Sequence, residues 1–181
     1  MPHTEALCTL SSLAALRNDV VRLLGTDLDP APLETAERNL QAARAHYAEA
    51  LKGTSAALVA CDFREARRRL PEVHDGRVSL IISNPPLGRR VHVANLHALF
   101  ADLFVLAASA LRDDGRLVII NPLRVSPARG SPLRRESQRT VDLGLRRGCS
   151  VEVWRKASGS VARYSRQGRA HVPRSASSLT L

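Results

Sequence analysis

Val78-Ser79-Leu80-Ile81-Ile82-Ser83-Asn84-Pro85-Pro86-Leu87-Gly88-Arg89-Arg90 is the stretch on which the reading of this chain turns. Val78 to Ile82 is short, apolar except for Ser79, and bounded by Gly76 and two prolines, so it reads as a buried strand. Pro85 and Pro86 have no N–H and a fixed φ, so the chain cannot continue to pair and breaks into a stiff loop. Asn84 precedes a proline and is driven toward an extended backbone, which holds its side chain forward. An amide and two prolyl carbonyls at the carboxyl end of a strand form a compact set of acceptors. Chemistry is to be sought there.

Upstream, Val20 to Leu24 is a second short apolar run, ending in Gly25-Thr26-Asp27-Leu28-Asp29-Pro30. It reads as a strand and a turn, with Asp29 as N-cap and Pro30 at the first position of a helix. Leu33, Ala36, Leu40, Ala43, Tyr47 and Leu51 line one face of that helix, and Gly53 stops it. Ser55 to Ala60 is the next strand and ends at Cys61-Asp62-Phe63. Arg64 to Leu70 follows as a short basic helix. Residues 3–18 carry leucines at helical spacing and predict another short helix.

Downstream, Leu96, Leu99, Leu103, Ala107 and Ala110 mark a long helix that ends near Asp113-Asp114-Gly115. Arg116 to Ile120 is a strand closed by Asn121-Pro122. Alternating strands and amphipathic helices at this spacing predict a parallel, doubly wound α/β sheet. Pro122 to Arg139 is rich in Pro, Ser, Gly and Arg and reads as a mobile basic loop with room for one helix. Val151-Glu152-Val153-Trp154 alternates, and Val161 to Tyr164 is expected to pair back on it across Gly159. From Ser165 the chain is polar, basic and without period. One folded domain over 1–165 and a disordered tail over 166–181 are expected.

The 181 residues suffice for one domain with a real core. The net charge is +10, from 27 basic residues of which all but Lys52 and Lys156 are arginine. Such a balance suits a polyanion, nucleic acid above all, although arginine-rich surfaces also arise without purpose. Three widely spaced cysteines show no metal-ligand pattern, so no metal and a reducing, cytoplasmic setting are expected. No apolar run approaches the ~20 residues of a membrane span. Acidic Glu5, with no basic region before it, argues against a secretion signal.

In an open α/β sheet, ligands bind outside the carboxyl ends of the strands. Asp27, Asp62 and Asn84 stand at three such ends. An acid closing the second strand of such a sheet accepts hydrogen bonds from ribose hydroxyls, which suits Asp27. Asp62 could accept from an exocyclic amine while Phe63 stacks on a base. The plainer alternatives are capping carboxylates at Asp27, Asp29 and Asp62, and a core aromatic at Phe63.

Asn84-Pro85-Pro86, with Asp27 and Asp62 upstream, resembles the motif of S-adenosylmethionine-dependent methyltransferases that modify amino groups of nucleic-acid bases. The form Ser-Asn-Pro-Pro-x-Gly-x-Arg looks most like the THUMP-associated RNA guanine-N2 methyltransferases. The resemblance runs from residue 20 to 165 and is strongest over 25–40 and 78–92. It implies a Rossmann-like class I methyltransferase fold, mostly parallel with a C-terminal antiparallel hairpin. It implies S-adenosyl-L-methionine as methyl donor, held by Asp27, Leu28, Asp62, Phe63 and Asn84. Asn84, Pro85 and Pro86 would be catalytic. Leu87, Gly88, Arg89 and Arg90 would contact an RNA substrate, tRNA or rRNA.

Two departures stand out. The family's fourth motif position is aromatic and stacks on the base, whereas here it is Leu87, which lacks a ring's quadrupole and area. No glycine occurs before Gly25, so the family's glycine-rich cofactor loop, ~20 residues ahead of the ribose-binding acid, has no counterpart. A first strand is expected to be missing as well, as in an N-terminally truncated domain. The expected function is methyl transfer to an exocyclic amino group of guanine in tRNA or rRNA. The alternatives are an inactive relative that at most binds RNA through its arginines, and a DNA adenine-amino methyltransferase. Gly88-Arg89 and the absence of a recognisable target-recognition domain count against the last.

Overall fold

The computed structural model describes residues 22–74, 76–85, 94–141 and 149–159. The helix expected over 3–18, motif positions Pro86 to Arg90, the segment Val161 to Tyr164 and the tail lie outside the described residues.

Strand β1 (Arg22–Asp27) pairs in parallel with β2 (Ser55–Ala60), in a register running from Arg22↔Ser55 to Asp27↔Ala60. Helix α1 (Pro30–His46) makes the crossover. Its start is the one the sequence encodes: Asp29 Oδ1 accepts from the Ala31 N–H at 3.0 Å, and Pro30 occupies a position whose N–H would have no partner. Pro32, Ala36 and Leu40, four residues apart, form its buried stripe. The helix ends at His46, seven residues short of the expected stop at Gly53. Turns take over, closed by Leu51 N–H to Tyr47 O at 3.0 Å and by Gly53 at φ 79°. Leu51 is therefore buried by a turn, although it keeps the helical period.

The basic helix expected over Arg64 to Leu70 is broken into a 3-10 turn (Phe63–Glu65), α2 (Ala66–Arg69) and α3 (Pro71–His74). Pro71 explains the break, since the residue before a proline is pushed out of the helical region: Leu70 sits at φ −126°, ψ 108°.

The second sheet has the order β3-β4-β6-β5, with β3 (Val78–Ser83), β4 (Leu111–Asn121), β5 (Leu133–Val141) and β6 (Cys149–Lys156). β3 and β4 are parallel and joined through α4 (Leu96–Ala110), which Asn95 caps by accepting from the Ala98 N–H at 2.9 Å. β6 runs antiparallel to β4 on one side and to β5 on the other. Two expectations are corrected here. Pro122 to Arg139 is not a mobile loop, because its last third is strand β5. And the helix expected to run to Asp113-Asp114-Gly115 ends at Ala110, because Leu111 already begins β4; β6 itself is paired on both edges, by β4 and by β5. β5 escaped the sequence reading because it is a polar edge strand. Only Leu133 is buried, the residues through Thr140 are exposed, and the register slips between Arg135 and Ser137, so no alternation is left to read. Arginines on such an edge discourage pairing with a further strand.

Among the described residues no strand lies between β1 and β3. The two sheets meet instead through side chains. Leu24, Ala57 and Val59 of the first and Val78 and Ile81 of the second pack on Ala66, Leu70, Val73 and Ala110. Arg22 and Glu72 add an ion pair at 2.9 Å. The larger core is the face of α4 against β4 and β6: Phe100, Leu103, Phe104 and Ala107 over Leu117, Ile119 and Trp154. Phe104 meets Trp154 edge-on, with ring centroids 5.3 Å apart, which adds about 0.5–1.5 kcal/mol beyond area burial. Among the described residues no helix is long and apolar enough to cross a membrane.

The β3–β4 register jumps from Val78↔Leu111 to Leu80↔Arg116, so residues 112–115 bulge. Gly115 sits where the backbones crowd: a Cβ there would lie 2.8 Å from the Arg112 carbonyl and 3.1 Å from that of Val78. Gly115→Ala is expected to destabilise the fold by about 1–3 kcal/mol in chemical denaturation, because no flexible side chain can yield. On the sheet surface, Glu136 accepts from Arg116 Nε at 2.8 Å and Nη2 at 3.2 Å, with Arg155 at 3.6 Å. The Arg116 hydrogen bond holds the Glu136 carboxyl below its ordinary value. Its contribution is therefore complete above the ordinary glutamate range and fades as pH falls through the lowered value. In melting curves from neutral pH downward, Glu136→Gln is expected to be slightly less stable at pH 7 and to converge with the unmodified protein in acid.

Candidate functional site

Each sequence-derived site residue within the described chain sits at the carboxyl end of a parallel strand. Asp27 closes β1, Asp62 follows β2 by two residues, and Asn84 follows β3 directly. Asp27 and Asp62 come together because β1 and β2 are neighbours: the Cys61 N–H donates to the Asp27 carbonyl at 2.8 Å. Asn84 and Pro85 leave the other sheet, and no hydrogen bond among the described residues links them to the two acids.

Asp27 Oδ1 accepts from the Asp29 N–H at 3.0 Å, which folds the turn after β1 and holds the carboxylate at the strand end. Leu28, next in the chain, is 74% exposed. Its side chain is thus an open apolar surface beside a fixed carboxylate. Asp62 is more committed. Its Oδ1 accepts from the Arg64 N–H at 2.8 Å and starts the 3-10 turn, while its Oδ2 pairs with Arg64 Nη1 at 2.9 Å. Arg64 Nε also donates to Asp102 on α4 at 2.7 Å. That bond to Asp102, with the one to Asp62, raises the guanidinium above its ordinary value. Phe63 packs partly into the α4 core, and the Arg64 guanidinium lies 5.2 Å from its ring centroid. The capping role weighed for Asp62, and the core role weighed for Phe63, are both present. Cys61 beside them is buried, and desolvation pushes its thiol above the ordinary value, so it is a poor nucleophile.

Asn84 differs from the two acids. Its Oδ1 is buried and has no hydrogen-bond partner among the described residues, and Pro85 after it is buried too. A buried amide oxygen left unpaired costs about 1–3 kcal/mol, so native chains seldom keep one without use. The extended backbone before Pro85 fixes where it points. Pro86, Leu87, Gly88, Arg89 and Arg90 lie outside the described residues.

Beside this loop is a polar network that the sequence reading missed. Ser83 of β3 is in register with Ile119 of β4, so Asn121 ends β4 next to the Asn84-Pro85 loop. The Asn121 side chain donates to the Val125 carbonyl at 2.7 Å and accepts from the Val125 N–H at 3.2 Å. Its Nδ2 also donates to Glu152 Oε2 at 3.1 Å, which takes a second bond from Trp154 Nε1 at 2.9 Å. Ser150 Oγ lies 2.9 Å from Glu152 Oε1. Glu152 is 1% exposed. The available signal was a glutamate alternating with Trp154 on the inward side of β6.

Asp62→Ala is expected to lower stability by about 0.5–2 kcal/mol in urea denaturation, with Asp62→Ser recovering most of the loss because its hydroxyl can still cap.

Residues 3–143 match the model of a family described as RMKL-like, methyltransferase domain. Two structures of the rRNA methyltransferase aviRa from Streptomyces viridochromogenes are similar, with 20% and 21% identity and TM-scores of 0.56 and 0.55. Each covers 84% of this chain and 72% of that one. TrmN from Thermus thermophilus is 22% identical over 84% of this chain and 48% of its own, with a TM-score of 0.48. No curated protein matches by sequence. The likeness to aviRa shows the fold: α/β, Rossmann-like, of the class I methyltransferase type.

Proposed function

The match over residues 3–143 spans well over half of the sequence, so the chain belongs to the family of RMKL-like methyltransferase domains; from that premise we propose that it methylates an exocyclic amino group of guanine in tRNA or rRNA, in the cytoplasm. The methyl donor of such a domain is S-adenosyl-L-methionine, which supplies an electrophilic methyl group when bound.

The observation that carries the reading is the Oδ1 of Asn84, buried and without a hydrogen-bond partner among the described residues. An exocyclic amine is a poor nucleophile because its lone pair is delocalised into the ring. Asn84 Oδ1 and the Pro85 carbonyl would accept the two amino hydrogens and favour a pyramidal nitrogen with its lone pair free. Positioning and electrostatics do this work, and no general base is needed beforehand. The residues at the neighbouring strand ends fit the donor. Asp27 is a carboxylate held in place for ribose hydroxyls, and Leu28 is an open apolar side chain for the adenine face. Asp62 would receive the adenine amine beside its bonds to Arg64, with Phe63 behind it. The base must leave any stack to reach Asn84, and Pro86, Leu87, Gly88, Arg89 and Arg90 would meet it and its phosphates.

Two measurements test this. Calorimetry with S-adenosyl-L-methionine is expected to show binding; no heat at millimolar concentrations refutes the enzyme and leaves the inactive relative. Asn84→Ala is expected to cut methyl transfer to RNA by about 100-fold or more, far beyond any loss of donor affinity, which Asp27, Leu28, Asp62 and Phe63 continue to support. Equal activity in that variant refutes the role given to Asn84.

A further inference from the structure

We propose that Arg124 is an RNA phosphate-binding residue beside the Asn84 loop, presented by a turn that Asn121 and Glu152 hold in place. The inference rests on the RNA-directed reading above. Arg124 has φ 55°, a left-handed conformation that a side chain bearing Cβ adopts only under constraint. The constraint is visible. Asn121 clamps both the N–H and the carbonyl of Val125, which closes the turn around residues 122–124. Glu152, buried and bonded to Trp154 and Ser150, fixes the Asn121 amide from behind. Glycine or asparagine would sit in this turn without comparable strain, yet an arginine stands there. Strain of this kind concentrates where function over-determines the backbone.

Position and chemistry agree. The turn leaves β4 two residues beyond the Ser83↔Ile119 pair, at the sheet edge where Asn84 and Pro85 leave β3. Arg124 is exposed, and its guanidinium has no hydrogen bond or ion pair among the described residues. Arg64, Arg116 and Arg155 are all engaged by carboxylates. A free, planar fork at this edge of a chain with net charge +10 suits the phosphate of a nucleotide whose base enters the site.

The test is fluorescence anisotropy of a fluorescein-labelled single-stranded RNA over a series of salt concentrations. Arg124→Gly keeps the backbone conformation without strain, so its melting temperature is expected to stay level or rise. Its RNA affinity is expected to fall about tenfold at low salt, and the slope of log affinity against log salt to drop by about 0.7, the share of one phosphate. Calorimetry with S-adenosyl-L-methionine is expected to be unchanged. Glu152→Ala should lose part of the same affinity and Glu152→Gln should regain it, because glutamine can accept from Asn121 and Trp154 and donate to Ser150. Unchanged affinity and slope in Arg124→Gly overturn the proposal, as does an equal loss in Arg38→Ala on the exposed side of α1. Equal losses in Glu152→Gln and Glu152→Ala overturn the positioning role. No RNA binding by the unmodified protein overturns both this inference and the RNA-directed reading. RNA binding with the expected Arg124 effect but without methyl transfer refutes only the proposed reaction.

Discussion

The parallel pairing of β3 with β4 is the constraint on which the rest depends. It is held from one face by α4, whose phenylalanines and leucines seal the sheet, and it tolerates a bulge only because Gly115 lets two backbones approach. Because the strands are parallel, both carboxyl ends emerge at one edge. Two loops of different character are therefore set side by side: Asn84-Pro85, with its buried amide oxygen, and the clamped turn around Arg124. Their being neighbours could not be read from either loop's own sequence.

Energetically the two loops are opposites. The Asn84 loop leaves a buried acceptor unpaired among the described residues and derives its stiffness from proline. The Arg124 turn is tied by side-chain bonds traced back to Glu152, which is buried and given donors by Asn121, Trp154 and Ser150. A buried polar group is tolerable only when its hydrogen bonds are supplied, and here they are. An acceptor without a partner among the described residues, beside a turn that is held still, suits the proposed centre, where a base must arrive and its backbone must be held.

Much of the frame was legible in the sequence. The cap at Asp29, the strand from Ser55 to Ala60 and the helix beginning at Leu96 follow from local rules of capping, periodicity and proline geometry, although that helix gives way to β4 at Leu111 and not near Asp113-Gly115. The position of Asn84 at a strand end was also readable, because two prolines cannot continue a strand. What escaped is non-local. β5 has no apolar alternation because it is an exposed edge. The burial of Glu152 depends on which way β6 faces, and the strain at Arg124 depends on a partner in the same network. Asp62 was readable as a polar strand end, but its bonds to Arg64 and the bridge to Asp102 needed α4 in place.

The central claim is that Asn84 and Pro85 await the two hydrogens of an amino group. The most direct measurement incubates the protein with RNA and isotope-labelled S-adenosyl-L-methionine, digests the RNA to nucleosides, and identifies the labelled product by mass spectrometry. The expected result is label on the exocyclic amino nitrogen of guanosine. Label on a ring nitrogen, a carbon or a ribose oxygen would contradict the claim, since none of these presents two amino hydrogens to that pair of acceptors.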